Sequence, residues 1–157
     1  MKRVGKISIA VLLILYLGGC GGGPAVPEKL EVSLVPAKGI EGDAKGTAVI
    51  DTKTGTDISV SLTGLKPDEM YTLFFVNVKS QMFEGIGDEP YVLQVNADGS
   101  VNFQGQFKKD IYKRYTEIAV FLNPGGKPIR NPLGVKATLG PLLKSEKPKM
   151  ILEGKLR

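Results

Sequence analysis

The chain has 157 residues, with 21 Lys and Arg against 16 Asp and Glu, one cysteine and no histidine. Without histidine there is no Ser-His-Asp triad, no Cys-His pair, no imidazole pH switch and no ordinary zinc or copper site. A single cysteine forbids an intramolecular disulfide, so the chemistry left open is that of carboxylates alone or of a Ser-Lys pair.

Lys2, Arg3 and Lys6 make a short positive start, and Ile7 to Leu17 is apolar apart from Ser8. Crossing about 30 Å of hydrocarbon takes roughly 20 apolar residues; this shorter run has the length and flanks of a secretory h-region. Leu17-Gly18-Gly19-Cys20 follows it and resembles the bacterial lipobox. The resemblance implies cleavage between Gly19 and Cys20, a diacylglyceryl group on the Cys20 thiol, and acylation of the new amine. Two or more acyl chains, at about 0.8 kcal/mol per buried methylene, give lasting attachment. A lone thiol in an oxidising compartment is a liability unless it is capped, and lipidation caps it. The implied location is the extracytoplasmic face of a cell membrane or outer membrane. Gly21, where enterobacterial retention signals carry aspartate, makes the outer membrane the default for a source with two membranes.

Removing residues 1–19 leaves 138 of the 157, with 18 Lys and Arg against 16 Asp and Glu, about +2. Cys20 to Lys29 (CGGGPAVPEK) is Gly- and Pro-rich and reads as a flexible leash. Residues 30–141 are expected to form one domain, and 142–157 a basic tail that adds at most one edge strand, at Met150-Ile151-Leu152. The basic residues are scattered apart from Lys108-Lys109 with Lys113-Arg114 and the lysines of the tail. Nucleic-acid binding needs a dense basic face with stacking aromatics, so no nucleic-acid partner is expected.

Beyond the leash the hydrophobic period is two, with turn signals between short apolar runs, the pattern of an all-β sandwich or barrel. It predicts strands near Leu30–Val35, Gly46–Asp51, Asp57–Leu62, Tyr71–Val78, Tyr91–Asn96, Val101–Phe107, Glu117–Leu122 and Val135–Leu139. In the third, Ile58, Val60 and Leu62 alternate with Asp57, Ser59 and Ser61, as a strand with one wet face requires. The fourth, YTLFFVNV, is apolar on both faces and reads as a central strand. Ala97-Asp98-Gly99-Ser100 and Lys53-Thr54-Gly55 read as tight turns with glycine supplying positive φ. Lys79–Pro90 and Lys108–Thr116 read as longer connections, the second with a helical turn, and Asn123–Gly134 holds too many prolines and glycines for regular structure.

Gly64-Leu65-Lys66-Pro67 followed by Tyr71-Thr72-Leu73-Phe74-Phe75 resembles a corner found in fibronectin type III and other Ig-like domains, where a tyrosine hydroxyl bonds back to the turn. In those domains the corner lies near the end, whereas here four more strands are predicted after it. Over residues 46–139 the order of motifs is similar to that of the extracellular C-terminal domain of the anti-sigma-K factor family: the corner, the Asp98-Gly99 hairpin, a strand running into Asn123-Pro124-Gly125-Gly126, and Asn131-Pro132. The resemblance implies an Ig-like or superoxide dismutase-like antiparallel sandwich of about 7–9 strands. A cytoplasmic sigma-binding domain and a spanning helix are not found in this sequence. Copper/zinc superoxide dismutases carry metal-binding histidines on the strand that would match Tyr71 to Asn77; without histidine that chemistry is lost.

Three groups of residues are candidate sites. Glu84, Asp88 and Glu89 could hold a hard cation through oxygens, although without the dense Asp/Asn spacing of a calcium loop they read better as a solvated acidic loop. Met82, Phe83 and Ile86 are candidate partner contacts, the competing reading being a plug for one end of the sandwich. Tyr112, Arg114 and Tyr115 have the composition of a recognition surface, unless the tyrosines pack beneath their own loop. Lys79 and Ser80 lack the context of a Ser-Lys nucleophile. The expected function is a lipid-anchored, non-catalytic cell-envelope lipoprotein that acts as a binding or assembly module. It would need no cofactor or metal, would meet the membrane through Cys20, and would have an envelope protein or polymer as partner. Two alternatives stay open: a carboxylate-based envelope hydrolase, and a signalling accessory with a sigma-regulator-like sensor domain.

Overall fold

Apolar-polar alternation places most of the strands. The computed structural model describes residues 27–129 and 148–156. Its strands are β1 (Lys29–Pro36), β2 (Lys45–Asp51), β3 (Asp57–Thr63), β4 (Tyr71–Asn77), β5 (Met82–Gly85), β6 (Val92–Leu93), β7 (Val101–Gln106), β8 (Glu117–Leu122) and β9 (Lys149–Lys155). Every pairing is antiparallel. One layer runs β1-β2-β3-β7; the other runs β9-β8-β4, with β5 and β6 both paired to β4. β1 belongs to both layers: Lys29–Leu34 pair with β2, and Val35 and Pro36 pair with β9. The fold is the all-β sandwich expected from the pattern.

The core lies between the layers. Ile58, Val60 and Leu62 of β3 are buried while Ser59 and Ser61 between them face water. Leu73 and Phe75 of β4, Ile118 and Val120 of β8 and Leu152 of β9 join them in one apolar cluster. β4 is buried on its other face as well, where Phe74 and Val76 cluster with Ala119 and Phe121 of β8. The Phe74 ring meets Phe83, Phe121 and Tyr91 edge-on, at centroid distances of 6.2, 6.0 and 5.4 Å, a geometry that suits the ring quadrupoles. Tyr91 takes φ 66°, rare for a bulky residue. Its ring lies flat over Gly85, where an added Cβ would come within 2.4 Å of it. Burying a side chain such as Phe74 stabilises the fold by about 2–3 kcal/mol.

The predicted turns are present. Gly55 and Gly99 take φ 71° and 78°, and Asp51 Oδ1 accepts the N–H groups of Lys53 and Thr54. The Ile111–Arg114 segment is a single 3-10 turn, as the second long connection suggested. Three expectations need correction. The Lys79–Pro90 connection contains β5, because Met82–Gly85 finds hydrogen-bonding partners on the free side of β4. The strand expected over Tyr91–Asn96 shrinks to Val92–Leu93, the two residues that pair with Thr72 and Tyr71 of β4 between the reversal at Tyr91 and the turn opening at Asn96. The strand holding Met150-Ile151-Leu152 is not at an edge but lies between β8 and β1, so it belongs to the domain and not to a tail outside it. A bulge leaves Ile151 as the extra residue on β9: Val120 pairs with Leu152 and Phe121 with Met150. The Ile151 carbonyl accepts the Ala37 N–H at 3.0 Å and so ties β9 to β1. The strand expected at Val135–Leu139 lies outside the described residues, as does Cys20.

Candidate functional site

The pairing register sorts the loops between two ends of the sandwich. Lys29 pairs with Asp51, Asp57 with Gln106, and Glu117 with both Val76 and Lys155. The start of β1, the β2–β3 turn, the β4–β5 turn, the 107–116 connection and the end of β9 therefore share one end, called proximal here. At the distal end β1 finishes beside the 37–44 and 64–70 loops and the Asn96–Ser100 hairpin.

Backbone hydrogen bonds stitch the 107–116 connection down. Phe107 and Asp110 donate to Thr56 and Gly55 at 2.9 and 3.0 Å, and Thr116 donates to Val76 at 3.0 Å. Asn77 Nδ2 donates to the Arg114 carbonyl at 3.5 Å. Beneath this cap Tyr115 stacks on Phe75 at 6.0 Å, and Phe107 packs edge-on to Phe75 and Tyr112 at 5.0 and 6.0 Å. Burial pushes the Tyr115 hydroxyl above its ordinary pKa, with the nearby Glu84 charge adding to it. Of the three residues considered as a recognition surface only Arg114 is exposed. Tyr112 and Tyr115 are core, because the 3-10 turn directs both rings under their own loop.

The Met82, Phe83 and Ile86 group divides in the same way. Ile86 is 1% exposed in the central core and Phe83 packs on Phe74, which leaves Met82 at 39% as the only open member. A contiguous contact patch is not formed. Glu84 faces Lys108 with an Nζ–Oε1 distance of 3.1 Å, and the Asp88 carbonyl closes a turn by accepting the Tyr91 N–H at 2.7 Å. Glu89 follows just before Pro90. Among the described residues no group of three Asp, Glu, His or Cys converges on a cation position. Lys79 and Ser80 are exposed on the β4–β5 turn, where the Ser80 N–H bonds Asn77 Oδ1 at 3.2 Å.

Charge at the proximal end is unevenly presented. Apart from the exposed Glu28, its acids are engaged by neighbouring groups. Asp51 caps its own turn, and Asp57 accepts from Gln106 Nε2 at 2.9 Å. Asp110 holds Lys113 at 3.0 Å, and the largely buried Glu117 bonds Lys155. Both partner lysines are held above the usual lysine range, chiefly by these hydrogen bonds to carboxylates. Lys29, Lys53, Lys79, Lys109 and Arg114 project to solvent and make no ion pair among the described residues.

The distal end carries the corner anticipated from Gly64-Leu65-Lys66-Pro67. Tyr71 is buried and its hydroxyl accepts the Lys66 N–H at 3.2 Å. Burial raises its pKa most, the Lys66 N–H opposes that, and the Glu69 and Asp68 charges add to the rise. The Leu65 N–H bonds the Gly99 carbonyl at 3.1 Å, so corner and hairpin brace each other. Beside the corner a cleft of about 270 Å³ is lined by Ile40, Leu65 and Tyr71 together with Glu41, Asp43, Glu69, Lys66 and Lys149. Sequence reasoning passed over Asn123. Its Nδ2 donates to Thr72 Oγ1 at 3.0 Å and to the Phe121 carbonyl at 3.2 Å, while its buried Oδ1 accepts no hydrogen bond among the described residues. An amide side chain at a strand end, just before Pro-Gly-Gly, was the available signal.

Comparison with known families, curated proteins and solved structures finds no match for the chain.

Proposed function

We propose that the chain is an extracytoplasmic lipoprotein, anchored through acylated Cys20 to a cell membrane or outer membrane, whose sandwich is a non-catalytic binding or assembly module. The observation that carries this reading is the succession of Lys2, Arg3 and Lys6, the short apolar run and Leu17-Gly18-Gly19-Cys20. The fold supports it, because the pinned part of the chain begins only a few residues after Cys20. The Pro27 and Glu28 carbonyls accept from the Thr52 hydroxyl and N–H. The partner is an envelope protein or polymer met by the surfaces of a rigid sandwich.

Metabolic labelling with palmitate tests the anchor. The wild-type chain incorporates label and is shortened by signal peptidase, whereas Cys20→Ser does neither. Equal labelling of the two would refute the anchor. The module is tested by crosslinking the wild-type chain in cells and identifying what is joined to it. Recovery of a defined envelope protein or polymer supports a binding role. Turnover of an envelope polymer by the purified chain would refute the non-catalytic assignment.

A further inference from the structure

We infer that the proximal end of the sandwich is a docking surface for anionic phospholipid headgroups, which holds the domain in one orientation on the bilayer. The inference rests on the lipid-anchor reading and adds a second, non-covalent contact to it. Geometry brings this end to the lipid. From Cys20 to Pro27 there are seven residue steps, which reach at most about 25 Å. Pro27 and Glu28 are fixed on the β2–β3 turn, at the proximal end.

Charge makes the same end suitable. The described residues carry 13 Lys and Arg against 15 Asp and Glu, while the chain from Cys20 onward carries 18 against 16. At the proximal end, taken as residues 28–29, 51–57, 77–84, 106–117 and 155, the balance of the described residues reverses to eight against six. Apart from the exposed Glu28, the acids there cap turns, accept hydrogen bonds or are paired, while Lys29, Lys53, Lys79, Lys109 and Arg114 extend outward from four separate segments. Beside them Val78 is 52% exposed, an apolar side chain next to lysines whose methylene stems can lie along the interface. The attraction acts only within a Debye length, about 10 Å at 0.1 M salt. The link to Cys20 confines the end to within about 25 Å of the anchor, so that it repeatedly enters that range. Each Lys or Arg near an anionic surface shifts the balance toward the surface about five-fold.

The experiment uses the full lipidated chain in vesicles. Lipidation occupies the only native thiol, so Ser80→Cys and Ala97→Cys each offer one site for a fluorophore, at the proximal and distal ends. Quenching by a spin-labelled headgroup is read in phosphatidylcholine vesicles with and without phosphatidylglycerol, and palmitate content is scored on the same sample. The Ser80 probe is expected to be quenched in the phosphatidylglycerol vesicles and released at about 1 M salt, where the Debye length is about 3 Å. The Ala97 probe should stay unquenched throughout. Lys109→Glu with Arg114→Glu should lower the ratio of docked to free domain by about 25-fold or more. The salt titration on the unsubstituted surface gives the same information should that variant misfold. Equal quenching at both ends, or Ser80 quenching that ignores phosphatidylglycerol and salt, in a chain that carries palmitate overturns the docking surface alone. A chain without palmitate overturns the anchor and the docking surface together.

Discussion

Gly154→Ala is the substitution whose sign the packing decides. In an open strand the change should stabilise, because glycine in a strand interior costs roughly 0.5–1 kcal/mol relative to alanine. Gly154 sits on β9 beside β1, next to Glu153, which pairs with Val35. A Cβ there would lie 2.6 Å from Val32 Cγ1, 2.7 Å from the Ser33 carbonyl oxygen and 3.0 Å from Leu34 Cδ2. The two side chains can shift, but the Ser33 oxygen is backbone in the strand shared by both layers, so β9 itself must move. Overpacking of this kind costs about 1–3 kcal/mol, and the contact with a carbonyl places Gly154→Ala in the upper half of that range. Equilibrium urea unfolding reads it directly. With m near 1–3 kcal/mol/M for a small domain, the midpoint should fall by about 1 M at unchanged m. A midpoint equal to or above that of the wild type would show that β9 does not lie against β1 as closely as these distances require.

Tyr71→Phe removes the acceptor of the Lys66 N–H and should cost about 1–2 kcal/mol at neutral pH. Since burial raises the Tyr71 pKa, its protonated form contributes stability that is fully present below about pH 10 and lost as pH rises through the raised value. The gap between wild type and variant should therefore narrow above pH 10, and a gap that widens in alkaline denaturation would contradict the buried corner. Ile86→Ala should destabilise by about 2–5 kcal/mol, while Met82→Ala, four residues away and open, should stay within about 0.5 kcal/mol; similar thermal shifts for the two would mean that β5 is misplaced.

Local signals were readable and long-range pairing was not. Ile58, Val60 and Leu62 announced β3 because one buried face imposes a period of two, and Gly99 announced its hairpin because few other residues accept its φ. The Tyr71 corner was legible from a proline, a glycine and a tyrosine close together in sequence. β9 was misplaced to an edge because its neighbours, β8 and β1, lie far from it in sequence, and three apolar residues do not say which strands flank them. β5 was missed because Met82-Phe83-Glu84-Gly85 is short and its pairing depends on β4 having a free side. Among the candidate site residues, Arg114 and Met82 are open as a surface reading required. From residue type alone, Tyr112, Tyr115 and Ile86 fit either surface or core. Only the course of the loop decides which way an aromatic ring turns.

β1 has a mechanical consequence through its membership of both layers. A pull delivered at Lys29 toward a load held at the distal end runs along the strand. It acts in shear on the six residue pairs joining β1 to β2 and on the contacts to β9 near Val35 and Pro36. Bonds loaded in shear share the force and yield together, whereas bonds loaded in peeling yield one at a time. Force entering through this strand is thus divided between two sheets, and the first strand of the sandwich is well placed to resist being drawn out.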